Sequence, residues 1–403
     1  MKKDLLHTPE GVRDIYGREC LEKRKVTDAL ENVCSNFGFN NIDTPTFEFF
    51  DVFNQERGTI PSNEMFKFFD HHGNTLVLRP DVTPAIARCA AKYFMNTETP
   101  VKLFYTEDVF INYENAYRGQ LKETTTVGAE LIGNGTEDED FEIICLAIDC
   151  LKKSGLENFQ VEVGNVSFYN GLIGEVCTTK DEKEELTNLI MDKNFLAVEE
   201  LLDELNCDES VKQALLALPG LFGLEADVLD KARELTDNET SLAAIDHLSK
   251  LYNKLCQYGY GKYISFDIGA LNEHMYYTGV IFKAYTFGTG NAVLSGGRYD
   301  NLIGQFGKDR ASIGFSLSVD RLIDAIKRQN IPISLEKKGS LIVYDKVSSD
   351  MAFIEAVTLR NNGMRAGLYP LNGDKYIYRN LALSENYEKI TFIENNERKE
   401  EII

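Results

Sequence analysis

The sequence predicts an α+β protein: a mostly antiparallel sheet flanked by helices, interrupted by a helical insertion and followed by a small C-terminal βαβ unit. Three observations predict it. Strand-like segments cluster at 75–133 and again at 263–319 instead of alternating regularly with helices. A stretch from about 170 to 258 is rich in Glu, Leu, Asp and Lys and reads as helix almost throughout. After the polar run Arg328-Gln329-Asn330-Ile331-Pro332, the pattern changes to short apolar strands around one helix.

In chain order, Thr8 to Ile15 is a lead-in to a helix from about Tyr16 to Asn36, where Leu21, Val26, Leu30, Val33 and Phe37 fall near helical spacing. Phe37-Gly38-Phe39 turns the chain towards Ile42-Asp43-Thr44-Pro45. Leu76-Val77-Leu78 and Val101 to Tyr105 read as strands, with Thr83 expected to cap an intervening helix through Ala90. Thr124 to Ile132 alternates as a strand, and from Asp138 the apolar stripe Phe141, Ile144, Cys145, Ile148, Leu151 predicts a helix ended by Gly155. The insertion breaks at Leu218-Pro219-Gly220 and is expected to form a lid or a satellite bundle. Strands return from Tyr263 to Val319, with Gly296-Gly297 read as a turn. Residues 1–330 are assigned to one domain, with the insertion at about 170–258, and residues 331–403 to a second. In the second, Ser340 to Tyr344, a helix over about 348–360, Met364 to Tyr369 and a strand near 389–393 form the βαβ unit.

Composition narrows the function. The 403 residues are 43% hydrophobic and 27% charged, those of a soluble globular protein with a sizeable core. No apolar run is long enough to span a membrane, and Met1-Lys2-Lys3-Asp4-Leu5 lacks the apolar stretch of a signal peptide, so a cytoplasmic protein is expected. The eight cysteines are scattered without metal-ligand spacing and are expected to be buried reduced thiols. No metal or cofactor is expected. The net charge of −21 opposes approach to a polyanion, and the last 73 residues carry ten Lys or Arg against eleven Asp or Glu, a poor surface for an RNA stem.

Specific motifs then enter. Met65-Phe66-Lys67-Phe68-Phe69-Asp70 is followed by Leu78-Arg79-Pro80-Asp81-Val82-Thr83-Pro84. Further on come Tyr276-Tyr277-Thr278-Gly279-Val280-Ile281-Phe282, Gly296-Gly297-Arg298-Tyr299-Asp300 and Ile313 to Leu322. In order and spacing this set resembles the catalytic core of the histidyl-tRNA synthetase family of class II aminoacyl-tRNA synthetases. Within it, the set is similar to the regulatory subunits of ATP phosphoribosyltransferase, paralogues that do not charge tRNA.

The resemblance implies a histidine pocket. Asp81 and Thr83 stand where the family contacts the ligand ammonium, Glu130 matches an acid near the imidazole and ammonium, and Thr126 replaces a glutamine. Tyr276 and Tyr277 would supply an aromatic wall and a phenol hydrogen bond. A plainer reading of the same residues has Asp81 capping the next helix, Glu130 paired with a lysine and both tyrosines in the core. The family's catalytic arginines are altered: Ile111 follows Phe110 where one is expected, Asn272 occupies the position of the histidine-specific one, and Arg321 keeps a third. The loop from Phe110 to Gly119 reads one residue longer than in the family, which leaves open that Arg118 swings inward in place of the arginine missing after Phe110.

Adenylation develops charge on phosphoryl oxygens that cations must stabilise, so loss of synthetase activity is expected. The resemblance implies a non-catalytic subunit with a short-form catalytic ATP phosphoribosyltransferase as partner. It further implies L-histidine as effector and a homodimer within a hetero-oligomer, while the acidic charge and the lack of a long apolar run lead to the expectation of no tRNA and no membrane partner. An active or divergent histidyl-tRNA synthetase, or a synthetase-like protein that senses amino acid or tRNA, are the other readings left open.

Overall fold

The computed structural model describes residues 6–53, 60–113, 120–224, 226–269, 276–307 and 309–403. The chain forms two compact units, one of Met1–Val12 and Thr27–Ile331, the other of Arg13–Val26 and Pro332–Ile403.

Helix α1 (Gly17–Asn36) buries Val26, Leu30 and Val33 but leaves Leu21 exposed. Gly38, in the left-handed region, turns the chain into the short strand β1 (Asn40–Asn41). Strands β2 (Phe47–Phe49), β3 (Lys67–Phe69) and β4 (Thr75–Leu78) make a small antiparallel sheet in the order β2-β4-β3. Helix α2 (Thr83–Tyr93) follows at once. Strands β5 (Val101–Phe110) and β6 (Glu123–Ile132) pair antiparallel along their whole length. Helix α3 (Glu137–Lys153) opens with a reciprocal capping box between Thr136 and Glu139 and is followed by β7 (Phe159–Asn165).

The insertion contains α4 (Val166–Val176), α5 (Lys180–Met191), α6 (Phe195–Glu204), α7 (Glu209–Ala217), the short strand β8 (Phe222–Gly223), α8 (Asp227–Glu234) and α9 (Glu239–Gln257). A one-turn 3₁₀ segment stands at Leu218–Gly220, where the proline interrupts the helical run. The chain then returns through β9 (Ile264–Asp267), β10 (Val280–Thr286), β11 (Leu294–Arg298), β12 (Ser312–Ser318) and α10 (Val319–Arg328).

These strands build a nine-stranded sheet in the order β1-β5-β6-β12-β11-β10-β7-β9-β8. Its pairs are antiparallel except β1 with β5 and β7 with β9. Period-two alternation separates its faces. One carries Val127, Ala129, Leu131, Phe315, Leu317, Phe282 and Val163, all buried, beneath α3 and α9. The other carries an apolar patch of Val101, Leu103, Tyr105 and Ile132 at its β5–β6 end and mostly small or polar residues across its central strands. Glu130, Gly314, Gly297, Ile281 and Gly164 stand side by side across five strands, and Gly128, Ser316, Ser295, Lys283 and Glu162 form the next row.

Gly296-Gly297 is therefore not a turn. Both glycines lie within β11, where a Cβ on Gly296 would stand 2.4 Å from the Gly314 carbonyl oxygen and 2.5 Å from the Phe282 ring. Close approach of neighbours, not chain reversal, calls for glycine here.

The second unit holds β13 (Ser340–Tyr344), α11 (Ser349–Asn361), β14 (Ala366–Pro370), α12 (Lys375–Ser384), β15 (Lys389–Glu394) and β16 (Glu397–Ile402). Its sheet runs β14-β13-β15-β16, with β13 parallel to β14 and to β15, and β16 antiparallel to β15. The βαβ unit is present, extended by α12 and β16.

Candidate functional site

The polar face of the large sheet is covered at its β5–β6 end by α2 and by the segment after β11. Between them lies Glu130, wholly buried. Its carboxylate accepts a hydrogen bond from the Thr83 hydroxyl at 2.8 Å and another from the Tyr299 hydroxyl at 2.5 Å. Burial pushes its pKa up to about 8, the two donors hold it down, and the charge of Asp81 raises it further. Room for this carboxylate comes from Gly314 opposite, where a Cβ would stand 1.6 Å from Oε2.

Asp81 sits in the turn before α2. Its Oδ1 accepts from the amides of Val82 at 2.7 Å and Thr83 at 3.3 Å. Asp81, not Thr83, thus satisfies the first amides of α2, and the Thr83 hydroxyl is released to Glu130.

Tyr276 and Tyr277 pack at 4.8 Å between centroids, and Tyr276 meets Tyr299 edge-on at 5.9 Å. Burial pushes both phenols above their ordinary range, with the charges of Asp81 and Glu130 adding to it. Gly297 lies under this pair, since a Cβ there would come within 2.7 Å of the Tyr277 ring. The segment is anchored behind: Thr278 donates its amide to the Arg298 carbonyl, and the Asp300 amide donates to the Thr278 hydroxyl. Arg298 is itself fixed by a buried ion pair with Asp140 of α3. Tyr276, Tyr277 and Thr278 line a cavity of about 440 Å³ with Asn170, Asn301, Leu302 and Gln305.

Thr126 stands on the same face of β6 as Glu130, four residues away, with its hydroxyl donated to the Glu107 carbonyl at 3.1 Å. Glu107 is the buried ion-pair partner of Arg79, whose guanidinium also donates to the carbonyls of Thr44 and Asp108. Of the six residues expected to hold histidine, the structure groups Asp81, Thr83, Glu130, Tyr276 and Tyr277 within hydrogen-bond or electrostatic reach of one another, with only the two tyrosines lining the cavity, and places Thr126 further along the strand.

Two residues escaped the sequence reading. Tyr299 closes the site onto Glu130 and lies inside the Gly296-Gly297-Arg298-Tyr299-Asp300 block, which was the available signal. Tyr105 is wholly buried over Gly128, its hydroxyl beside Thr83 and Ser316 but in hydrogen-bond geometry with neither. Nothing in the alternation of β5 marked it out from core residues.

At the position of the first altered arginine, Ile111 is half-buried just beyond β5, and its amide donates to the Lys122 carbonyl at 2.9 Å. Arg321 is exposed at the start of α10, donating to the Ala292 carbonyl at 3.2 Å. Asn272 and Arg118 lie outside the described residues.

The histidyl-tRNA synthetase family model matches residues 11–322. An ATP phosphoribosyltransferase regulatory subunit from Acetivibrio thermocellus is 39% identical, over 94% of this chain and 90% of its own. The chain belongs to the ATP phosphoribosyltransferase regulatory subunit family. A crystal structure described as an ATP phosphoribosyltransferase regulatory subunit/histidyl-tRNA synthetase from Bacillus halodurans is similar with a TM-score of 0.83 at 30% identity, covering 97% of this chain and 99% of that one. A histidyl-tRNA synthetase from a Nostoc species shares the fold, with a TM-score of 0.77 at 18% identity over 98% of this chain and 96% of its own. In this regulatory-subunit member the buried acid and its aromatic neighbours stand on a synthetase-like sheet, while a branched alkyl side chain follows Phe110. Among the described residues no helix is long and apolar enough to cross a membrane.

Proposed function

We propose that this chain is a non-catalytic, cytoplasmic regulatory subunit that docks a short-form catalytic ATP phosphoribosyltransferase and conveys feedback by L-histidine on the first step of histidine biosynthesis. The observation that carries this reading is the pairing of a buried carboxylate under an aromatic wall with an alkyl side chain at Ile111. The first suits a ligand bearing an ammonium group and a flat polar ring. The second offers no cation to a phosphoryl group.

Histidine is held in this reading between Asp81, Thr83 and Glu130 on one side and Tyr276 and Tyr277 on the other. Its binding alters the partner's activity only through a difference in affinity between active and inhibited states of the complex, and a coupling of about 1–3 kcal/mol corresponds to a roughly 5–150-fold effect. The chain acts as a homodimer within the hetero-oligomer, supported by the exposed phenylalanines Phe47, Phe49 and Phe68 of the small sheet. The net charge of −21 supports a role without tRNA.

The test mixes purified protein with the catalytic subunit from the same organism. A larger species on gel filtration is expected, and its phosphoribosyl transfer becomes sensitive to L-histidine. Protein alone gives no histidine-dependent exchange of pyrophosphate into ATP. Recovery of tRNA but never the transferase from native lysate, or clear exchange activity, defeats the reading.

A further inference from the structure

The aromatic pair is held from behind by a buried polar cluster that reaches the helical insertion. Arg298 ends β11, and its side chain leaves the sheet on the helical face, opposite to Gly297 and the tyrosines. There its Nε donates to Asp140 Oδ1 at 3.0 Å, its Nη1 to Asp300 Oδ1 at 3.2 Å and its Nη2 to the Thr136 carbonyl at 3.3 Å. Its backbone faces the other way: the Arg298 carbonyl accepts the Thr278 amide at 2.7 Å, and the Asp300 amide donates to the Thr278 hydroxyl at 3.1 Å, one residue beyond Tyr277. Gly279 lets the arginine stem pass, since a Cβ there would stand 3.1 Å from Arg298 Cδ. Where Arg298 sits therefore decides where this segment sits.

Asp140 is buried, uses Oδ1 for Arg298 and turns Oδ2 to His247 of α9, whose Nε2 stands 3.0 Å away, outside hydrogen-bond angles but within ion-pair reach. A lone pair on that nitrogen would repel the carboxylate, so Nε2 carries the hydrogen. Arg298 alone faces two carboxylates, Asp140 and Asp300, and a buried carboxylate needs donors on both of its oxygens. His247 completes the set. Two other pairs join α9 to α3, Lys250–Glu137 and Lys254–Asp138, but their carboxylates are exposed, and ion pairs in water contribute little. The buried contact at His247 is the one that links the insertion to the tyrosine segment.

We propose that His247 and Asp140 are positioning residues for the histidine site: by fixing Arg298 they set where Tyr276-Tyr277-Thr278 lies over the sheet, and they tie the last helix of the insertion to ligand affinity. The proposal rests on the reading of that site as a histidine pocket. Neither residue touches the ligand.

The experiment uses the full chain with labelled threonine methyls and histidine rings, and unlabelled L-histidine as ligand. In the ligand-free protein His247→Ala is expected to shift the Thr278 methyl resonance, and in calorimetry to weaken L-histidine binding at least about fivefold. His247→Gln, which returns an N–H donor towards Asp140, recovers both, whereas Lys254→Ala, which removes an exposed pair between the same helices, moves neither. On the wild type, bound L-histidine shifts the ring resonances of His247, a readout that needs no variant to fold. A Thr278 methyl unmoved in His247→Ala, an equal effect of Lys254→Ala, no recovery in His247→Gln, or His247 resonances indifferent to bound ligand overturns the proposal. If the wild type binds no L-histidine, the histidine reading of the site falls, and the positioning of the segment is still decided by the ligand-free Thr278 methyl.

Discussion

Asp81 illustrates how one side chain can serve two needs. Its Oδ1 holds the first amides of α2, and its charge acts on Glu130, Tyr276 and Tyr277. These roles separate by substitution. Asp81→Ala removes both, so it is expected to cost about 1 kcal/mol of stability through the lost cap and to weaken L-histidine binding by about 1–3 kcal/mol. Asp81→Asn keeps an oxygen for the amides and loses the charge. It should retain the wild-type melting temperature and still bind histidine poorly in calorimetry, and full affinity in Asp81→Asn would place the ammonium elsewhere. Glu130 makes a second claim at this scale. Its pKa rises from 4.5 to about 8 on folding because burial outweighs its two donors. Below pH 4.5 both folded and unfolded states hold the proton. Between 4.5 and 8 the unfolded chain releases it while the folded chain keeps it, so stability falls as pH rises through that window and levels off above it. Glu130→Gln has no such proton, and its urea midpoint should decline less between pH 5 and 8 than that of the wild type. Parallel curves would show that Glu130 is not buried in solution as it is here.

At the scale of elements, the site depends on glycines that let strands and rings approach. Gly297 sits beneath Tyr277, and a Cβ there would also stand 2.8 Å from the Val280 carbonyl oxygen. Gly297→Ala must push the aromatic wall or the strand aside, at a cost of about 1–3 kcal/mol, and weaker histidine binding should accompany the lower melting temperature. A variant that loses stability but binds normally would remove Tyr277 from the ligand wall. These glycines also explain what the sequence could and could not tell. Alternation over Thr124–Ile132 and the apolar stripe of α3 marked their elements because each buries one face. A Gly-Gly pair signals a turn when read locally, and only the partner strands, distant in sequence, show that it makes room for Phe282 and Tyr277. Strand β16 was missed because its sequence, ERKEEI, is charged and mostly exposed. It is held by its ladder to β15 and by ion pairs such as Arg379–Glu401 and Lys389–Glu400, none of which leaves an apolar period. In the site, Asp81, Thr83 and Glu130 were legible from motifs. Tyr299 lay within a motif as well, but its role did not show there, because its meeting with Glu130 joins residues 169 apart.

For the whole molecule, the small sheet raises a question of assembly. In β2, Glu48 turns inward to an ion pair with Arg88, while Phe47 and Phe49 point outward, each 54% exposed. The register of β2-β4-β3 puts Phe47, Phe49, Leu76, Leu78 and Phe68 on one face, and Phe47 meets Phe68 edge-on at 5.8 Å. A strand that buries its charge and exposes its aromatics reverses the usual pattern of a solvent-facing sheet, and contiguous apolar patches of this kind mark interfaces. Covering it with the same face of a second copy satisfies the twofold symmetry most homodimers adopt. The wild type is therefore expected to sediment as a dimer, and Phe47→Asp with Phe49→Asp, which places like charges on both sides of the contact, should sediment as a folded monomer with an unchanged circular dichroism spectrum. If the double variant remains dimeric, the interface lies elsewhere, and if the wild type is itself a monomer at micromolar concentration, this sheet must be covered by another partner. The same variant separates the two levels of assembly: a monomer that still captures the catalytic subunit shows that hetero-oligomer contacts do not pass through β2, whereas loss of both shows that the dimer is the platform on which the catalytic subunit docks.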